Sequence, residues 1–156
     1  MDIGLEAGMK EKSVVIESMG EEDTYALGRK LGESATPGEV FALVGNLGVG
    51  KTAFARGLAA GLGIEEAICS PTFTVVQVYE EGKLPLYHFD VYRIGDIEEM
   101  EEIGYMDYVY GNGVALIEWA DRIREILPSS YREIHIEKDL QKGPSYRRIT
   151  IARIET

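Results

Sequence analysis

Gly45-Asn46-Leu47-Gly48-Val49-Gly50-Lys51-Thr52 is a complete G-x-x-x-x-G-K-[ST] loop, and its chemistry organises the rest of the chain. A polyphosphate crowds several negative charges into a few ångströms. Holding it requires many short donors converging on one point, and backbone N–H groups meet that need only where no side chain blocks the approach. Gly45, Gly48 and Gly50 keep the approach open and tolerate backbone angles that a Cβ penalises. Lys51 is placed to reach the β- and γ-phosphates, and the Thr52 hydroxyl to ligate Mg²⁺. A helix starting at this point adds the positive end of its dipole to the same site.

The flanks have the form that such a loop requires. Before it, residues 39–44 (Glu-Val-Phe-Ala-Leu-Val) make a short apolar run suited to a buried parallel strand. After it, Phe54, Leu58 and Leu62 recur at i, i+4 and i+8 among small alanines. That spacing predicts a helix, with Gly61 and Gly63 as its stops.

Further out, residues 13–17 carry Val14-Val15-Ile16 and read as a first strand. Ser18 and Glu21 resemble a capping box that opens a helix to about residue 34, with Ala26, Leu27 and Leu31 inward. Thr36-Pro37-Gly38 turns the chain into the strand at 39–44. On the carboxyl side, Ser70-Pro71-Thr72-Phe73-Thr74 leads into a β-rich stretch at 75–79. A turn at 81–83, a strand at 84–90, a helix at 97–105 and a strand at 114–118 follow, then a helix at 120–127 stopped by Pro128. Residues 133–137 and 147–154 alternate apolar with polar around Gly143-Pro144, as in an antiparallel hairpin with one solvated face. This order predicts an α/β fold: a mostly parallel central sheet flanked by helices, with antiparallel edge strands. Residues 13–156 form one domain on this reading, behind a loose polar tail at 1–12.

The chain has 156 residues and a formal net charge of −11. A protein that grips nucleic acid by itself presents a basic face, so strong direct RNA or DNA binding is not expected. No apolar run approaches membrane-spanning length and no signal-type segment follows Met1, so the expectation is a soluble, cytoplasmic protein. Cys69 is the single cysteine, which leaves no internal disulfide and reads as a small buried hydrophobe. His88 and His135 lie far apart and form no ligand cluster with each other.

A phosphate-binding loop needs a further acid near the metal, usually at the carboxyl end of a neighbouring apolar strand. Asp90 ends Leu86-Tyr87-His88-Phe89-Asp90, and Glu118 ends Leu116-Ile117-Glu118. Either alone is also compatible with an ordinary strand-end carboxylate; together, downstream of the loop, they form a candidate pair for metal and water. His88, two residues before Asp90, shares its strand face and reads as a structural histidine. The run Glu98-Glu99-Met100-Glu101-Glu102 reads as the solvated face of a helix.

The loop, then Ser70-Pro71-Thr72-Phe73-Thr74, then Tyr87-His88-Phe89-Asp90-Val91-Tyr92-Arg93, then Ile117-Glu118-Trp119, in this order and spacing, resembles the TsaE (YjeE) family. The resemblance runs from about Val14 to Ile154. It departs from the family at Asn46, where Asp is frequent, and at Ala53 and Ala120, which replace a common Thr and Pro. The resemblance implies a three-layer, P-loop NTPase-like fold. It also implies an ATPase, with Mg²⁺, required for the threonylcarbamoyladenosine (t6A) modification of tRNA beside the anticodon, where it binds the TsaB and TsaD proteins and resets them between turnovers. Gly48, Val49, Gly50, Lys51, Thr52 and Ala53 would hold the nucleotide. Thr52, Asp90 and Glu118 would serve the metal, with Asp90 and Glu118 also catalytic and Thr72 sensing the γ-phosphate. Trp119 corresponds to the family's essential tryptophan, and it also fits a core aromatic beside a functional acid. Glu21 and the turn near Pro144 would flank the base.

The alternative is a small-molecule P-loop kinase, which shares the loop, the size and the sheet. Such an enzyme usually carries an arginine-bearing lid; here only Arg122 and Arg124 cluster, without a long insertion. A GTPase switch would carry Asn-Lys-x-Asp and Asp-x-x-Gly, and neither string occurs. Arg93 is the remaining cis candidate for neutralising a transferring phosphoryl group.

Overall fold

The computed structural model describes residues 10–46, 48–69, 71 and 74–156. The two-residue period of β2 (Val40–Val44) divides the molecule into two cores. Phe41 and Leu43 face one side of the sheet, where they pack with Leu116 and Leu86 of the neighbouring strands and with Phe54 and Leu58. Val40 and Ala42 face the other, with Ala115, Ile117, Phe89, Met100 and Tyr105. A strand apolar on both faces can only be central.

In chain order the elements are β1 (Lys10–Ser18), α1 (Glu21–Glu33), β2, α2 (Lys51–Gly61), β3 (Val76–Tyr79), β4 (Leu86–Asp90), α3 (Glu98–Glu102), α4 (Tyr105–Val109), β5 (Val114–Glu118), a 3-10 segment (Ala120–Ile126), β6 (Ser130–Lys138), a 3-10 turn (Leu140–Lys142) and β7 (Arg147–Glu155). Among the described residues, seven strands form one sheet in the order β1-β7-β6-β2-β5-β4-β3. β6, β2, β5 and β4 run parallel. β1, β7 and β3 are antiparallel to their neighbours. α1 and α2 cover the face of Phe41, while α3, α4 and the first 3-10 segment cover the face of Val40. The expected three-layer α/β architecture is the one observed.

α1 and α2 meet through glycines. A Cβ at Gly28 would lie 2.4 Å from the Phe54 carbonyl oxygen, and one at Gly57 only 2.1 Å from that of Tyr25. Gly32 and Gly61 stand in the same relation to Leu58 and Arg29, at 2.4 and 2.2 Å. Backbone therefore packs directly on backbone. α2 ends at Gly61 as expected, but the reading of Ala26 as inward is corrected. Ala26 is exposed, while Thr24, Gly28 and Gly32 are buried and Leu27 and Leu31 pack at the margin.

Other boundaries shift for identifiable reasons. β1 starts at Lys10 because its backbone pairs with β7 from Lys10↔Glu155 onward, so residues 10–12 belong to the sheet rather than to a tail. The capping box does not form. The Ser18 hydroxyl meets that of Thr24 at 2.8 Å, and the Met19 N–H donates to Asp23 instead. The expected helix at 97–105 is two short helices, because Gly104 sits at φ 81° between them. The segment after β5 is a 3-10 helix broken at Ile123, not an α-helix. β6 and β7 do pair antiparallel, but β6 also pairs with β2, so the outer edge is β1. Cys69 is exposed, not buried. Among the described residues no helix is long and apolar enough to cross a membrane.

Candidate functional site

Strand parity brings the two acids to one place. On β4, Leu86, His88 and Asp90 share a face; on β5, Val114, Leu116 and Glu118 do. The register pairs Asp90 with Glu118, and this face is the one that α2 covers. Asp90 and Glu118 therefore stand together at the carboxyl ends of parallel strands, against the amino end of α2, which begins at Lys51. Both are buried. The Asp90 carboxylate accepts from the Tyr92 N–H at 3.0 Å, and the Asp90 N–H donates to the carbonyl of Val75 at 2.8 Å. Val75 is held at φ 68°, a strained angle for a β-branched residue.

In the described part of the loop between β2 and α2, glycines take backbone angles that a side chain would strain, and a Cβ at Gly45 would also lie 2.7 Å from the Ile136 carbonyl oxygen. Gly48 takes φ 80°, and Gly50, the residue before α2, takes φ 107°. Arg147, at the start of β7, holds the loop from behind: Nε donates to the Val49 carbonyl at 2.8 Å and Nη2 to that of Gly48 at 3.3 Å. Its remaining nitrogen, Nη1, donates to Pro144 and Tyr146. With those carbonyls committed to a guanidinium, the loop's N–H groups are left to point elsewhere. Nothing in the sequence singled out Arg147, which lies 98 residues from Val49; only the fold joins them.

The Lys51 ammonium donates to the Gly45 carbonyl at 2.8 Å and rests 3.3 Å from the centroid of the Trp119 ring. Burial holds its pKa below the ordinary lysine value, and the negative charges of Glu118, Asp90 and Asp121 partly offset that effect. Trp119 reaches this position because its backbone is left-handed, at φ 62° and ψ 36°, directly after β5. A non-glycine residue there costs roughly 1–2 kcal/mol. The Trp119 N–H donates to the Leu43 carbonyl at 3.0 Å, so the turn is tied back to β2. Tyr92 stacks on Trp119 with centroids 4.6 Å apart, and the Arg122 guanidinium caps Tyr92 at 4.8 Å. Cation, indole, phenol and guanidinium thus form one ladder from the loop to the surface. Trp119 is half-buried: it packs against the core on the Val40 side of the sheet and also carries the Lys51 ammonium on its ring.

A cavity of about 560 Å³ is lined by Glu21, Gly48, Gly50, Lys51, Thr52, Asp90, Arg93, Glu118 and Trp119 among others. A smaller one of about 160 Å³ opens beside it, between Glu21 at the start of α1, Val49 and Pro144. Most of the expected site residues therefore converge. Ala53 follows Thr52 in α2, half-buried and outside both linings. Thr72 lies outside the described residues, so its expected γ-phosphate role has no geometry here. His88 is buried, as a structural histidine would be, yet its Nε2 lies 2.5 Å from Glu118 Oε2. Glu98, Glu99, Glu101 and Glu102 are exposed, and Met100 alone of that run is buried.

A glycine loop between a parallel strand and a helix, with acids at the ends of the adjoining strands, is the arrangement of P-loop NTPase-like folds. The comparisons with known proteins narrow the class. The family model for the threonylcarbamoyl adenosine biosynthesis protein TsaE matches residues 18–149. The Bacillus subtilis TsaE protein is 44% identical over 133 residues, covering 85% of this chain and 81% of its own length. The Treponema pallidum TsaE is 48% identical over 111 residues, 71% of this chain and 82% of that protein. The crystal structure of Bacillus subtilis YdiB superposes with a TM-score of 0.77 at 37% identity, covering 91% of this chain and 86% of that one. The chain belongs to the TsaE family of threonylcarbamoyladenosine biosynthesis proteins.

Proposed function

We propose that this protein is an ATP-hydrolysing subunit in the t6A modification of tRNA, and that ATP binding and hydrolysis reset a TsaB–TsaD complex between turnovers. The observation that carries the reading is the convergence of Lys51, Thr52, Asp90, Glu118 and Trp119 on one cavity at the carboxyl ends of parallel strands. Lys51 would leave Gly45 and Trp119 for the β- and γ-phosphates, and the loop N–H groups would take the remaining phosphate oxygens. Glu118 would orient and polarise the attacking water. The pocket between Glu21 and Pro144 would receive the base.

The donors fit Mg²⁺. Among the described residues no group of three or more His, Cys, Asp or Glu could hold a metal by itself. The Thr52 hydroxyl with one or two carboxylates from Asp90 and Glu118 is an all-oxygen set of the kind that Mg²⁺ takes when phosphates and water complete its shell. Such an ion would neutralise phosphate charge.

The net charge of −11 leaves contact with RNA to the partners. A nucleotide can drive a cycle only if the partners distinguish its two states. Capture of a TsaB–TsaD pair on the immobilised protein tests this: retention should be greater with ATP–Mg²⁺ than with ADP. Equal retention in both states would remove the resetting role.

A further inference from the structure

Glu118 is held by a partner that the nucleotide chemistry does not itself require. On the register of β4 and β5, His88 stands opposite Leu116, diagonal to Glu118 on the face that α2 covers. Its Nε2 lies 2.5 Å from Glu118 Oε2. The two side chains are 1% and 7% exposed, so water scarcely competes for the contact. His88 Nδ1 is buried without a hydrogen-bond partner among the described residues. The ring's polar interaction is therefore directed entirely to Glu118. An apolar side chain would satisfy the surrounding core, which includes Leu86 and Leu116 of the same face. A buried imidazole with one open nitrogen is a poor choice for packing and a good one for fixing a carboxylate.

From this geometry we infer that His88 is a positioning residue: it donates from Nε2 to Glu118 Oε2 and so presents the other carboxylate oxygen, Oε1, to the cavity. A glutamate at a strand end otherwise has three rotatable bonds. Anchoring one oxygen to a rigid ring on the adjacent strand restricts the second to a small arc, and that preorganisation acts on the chemical step rather than on nucleotide binding. The same strand face supplies Asp90, which reaches the cavity from two residues further on. β4 thus carries one acid of the site and the anchor of the other. The inference rests on the proposed role of Glu118 in the site.

The test compares His88→Leu, His88→Asn and His88→Gln, reading steady-state phosphate release in the presence of the TsaB–TsaD pair together with ATP affinity by direct titration. Glutamine sets an amide nitrogen near the place of Nε2, whereas asparagine sets one nearer Nδ1. His88→Leu and His88→Asn should lower kcat by about tenfold or more while ATP affinity stays within about twofold, and His88→Gln should recover most of the rate. Adding His88→Leu to Glu118→Gln should cost no further rate, since the anchor would then have nothing left to aim. In the nucleotide-free protein, the Nε2–H of His88 should give a slowly exchanging NMR signal that shifts in Glu118→Gln. If His88→Leu does not fold, the comparison of asparagine with glutamine decides alone. Equal rates for those two variants, additive losses in the double variant, or an unshifted imidazole signal would overturn the inference. Unchanged turnover in Glu118→Gln would instead overturn the role given to Glu118, whatever the His88 variants do.

Discussion

Lys51 Nζ lies 3.3 Å from the centre of the Trp119 ring and 2.8 Å from the Gly45 carbonyl. The residue that should bind phosphate is thus docked on the chain's single tryptophan. A nucleotide must draw the ammonium away from both, so Trp119 fluorescence should change saturably on titration with ATP–Mg²⁺. Lys51→Ala should abolish the change and weaken affinity by roughly 10- to 150-fold, the equivalent of about 1.5–3 kcal/mol for a hydrogen bond to a charged group. An unaltered dissociation constant in that variant would remove Lys51 from the site.

Glu118→Gln separates holding the nucleotide from hydrolysing it. The substitution keeps the size and one acceptor oxygen but removes the charge that polarises water. ATP binding should survive and phosphate release should fall by roughly 100-fold or more, within the range given for general bases. Loss of binding together with turnover would assign Glu118 to primary metal ligation or to structure.

Arg147 donates to the carbonyls of Val49 and Gly48 from outside the motif. Arg147→Met keeps most of the stem packing and removes the donors. ATP affinity should drop by about tenfold, in line with one charge-assisted hydrogen bond of about 1.5 kcal/mol, with little change in thermal midpoint. A large loss of thermal stability at unchanged affinity would show that Arg147 supports the fold and not the loop.

Gly57→Ala tests the contact between the two helices. Alanine is the better helix former by about 1 kcal/mol, yet its Cβ would lie 2.1 Å from the Tyr25 carbonyl oxygen. Overpacking should prevail and leave the variant about 1–3 kcal/mol less stable, a fall of roughly 2–12 °C in the midpoint of thermal unfolding. A stabilised Gly57→Ala would mean that the helices separate at little cost.

The parts of this molecule that were legible in the sequence are those encoded by local pattern. The loop fixes its own strand and helix, and the alternation of β2, β4 and β5 sends Asp90 and Glu118 to one end of the sheet. What was not legible depends on partners remote in sequence. Gly28, Gly32, Gly57 and Gly61 have no visible packing role until α1 lies on α2. Ser18 and Glu21 match a capping box, but the strand pairing of β1 runs through Ser18 and leaves its hydroxyl to Thr24. Arg147 carries no signature in composition or spacing, and the spacing of His88 places it on the face of Asp90 without showing its contact with Glu118, because each acts on a group supplied by another strand or loop.

We propose that hydrolysis here belongs to a partnered cycle. Among the cavity-lining residues Arg93 is the cationic side chain besides Lys51, and among the described residues no long arginine-bearing lid stands ready to close over a transferring phosphoryl group. The direct measurement is steady-state phosphate release from ATP–Mg²⁺ by the purified protein, with and without TsaB and TsaD. Release should be slow from the protein alone and clearly faster when the pair is added. Fast release that ignores the pair, or transfer of the phosphoryl group to a small metabolite, would contradict the proposal.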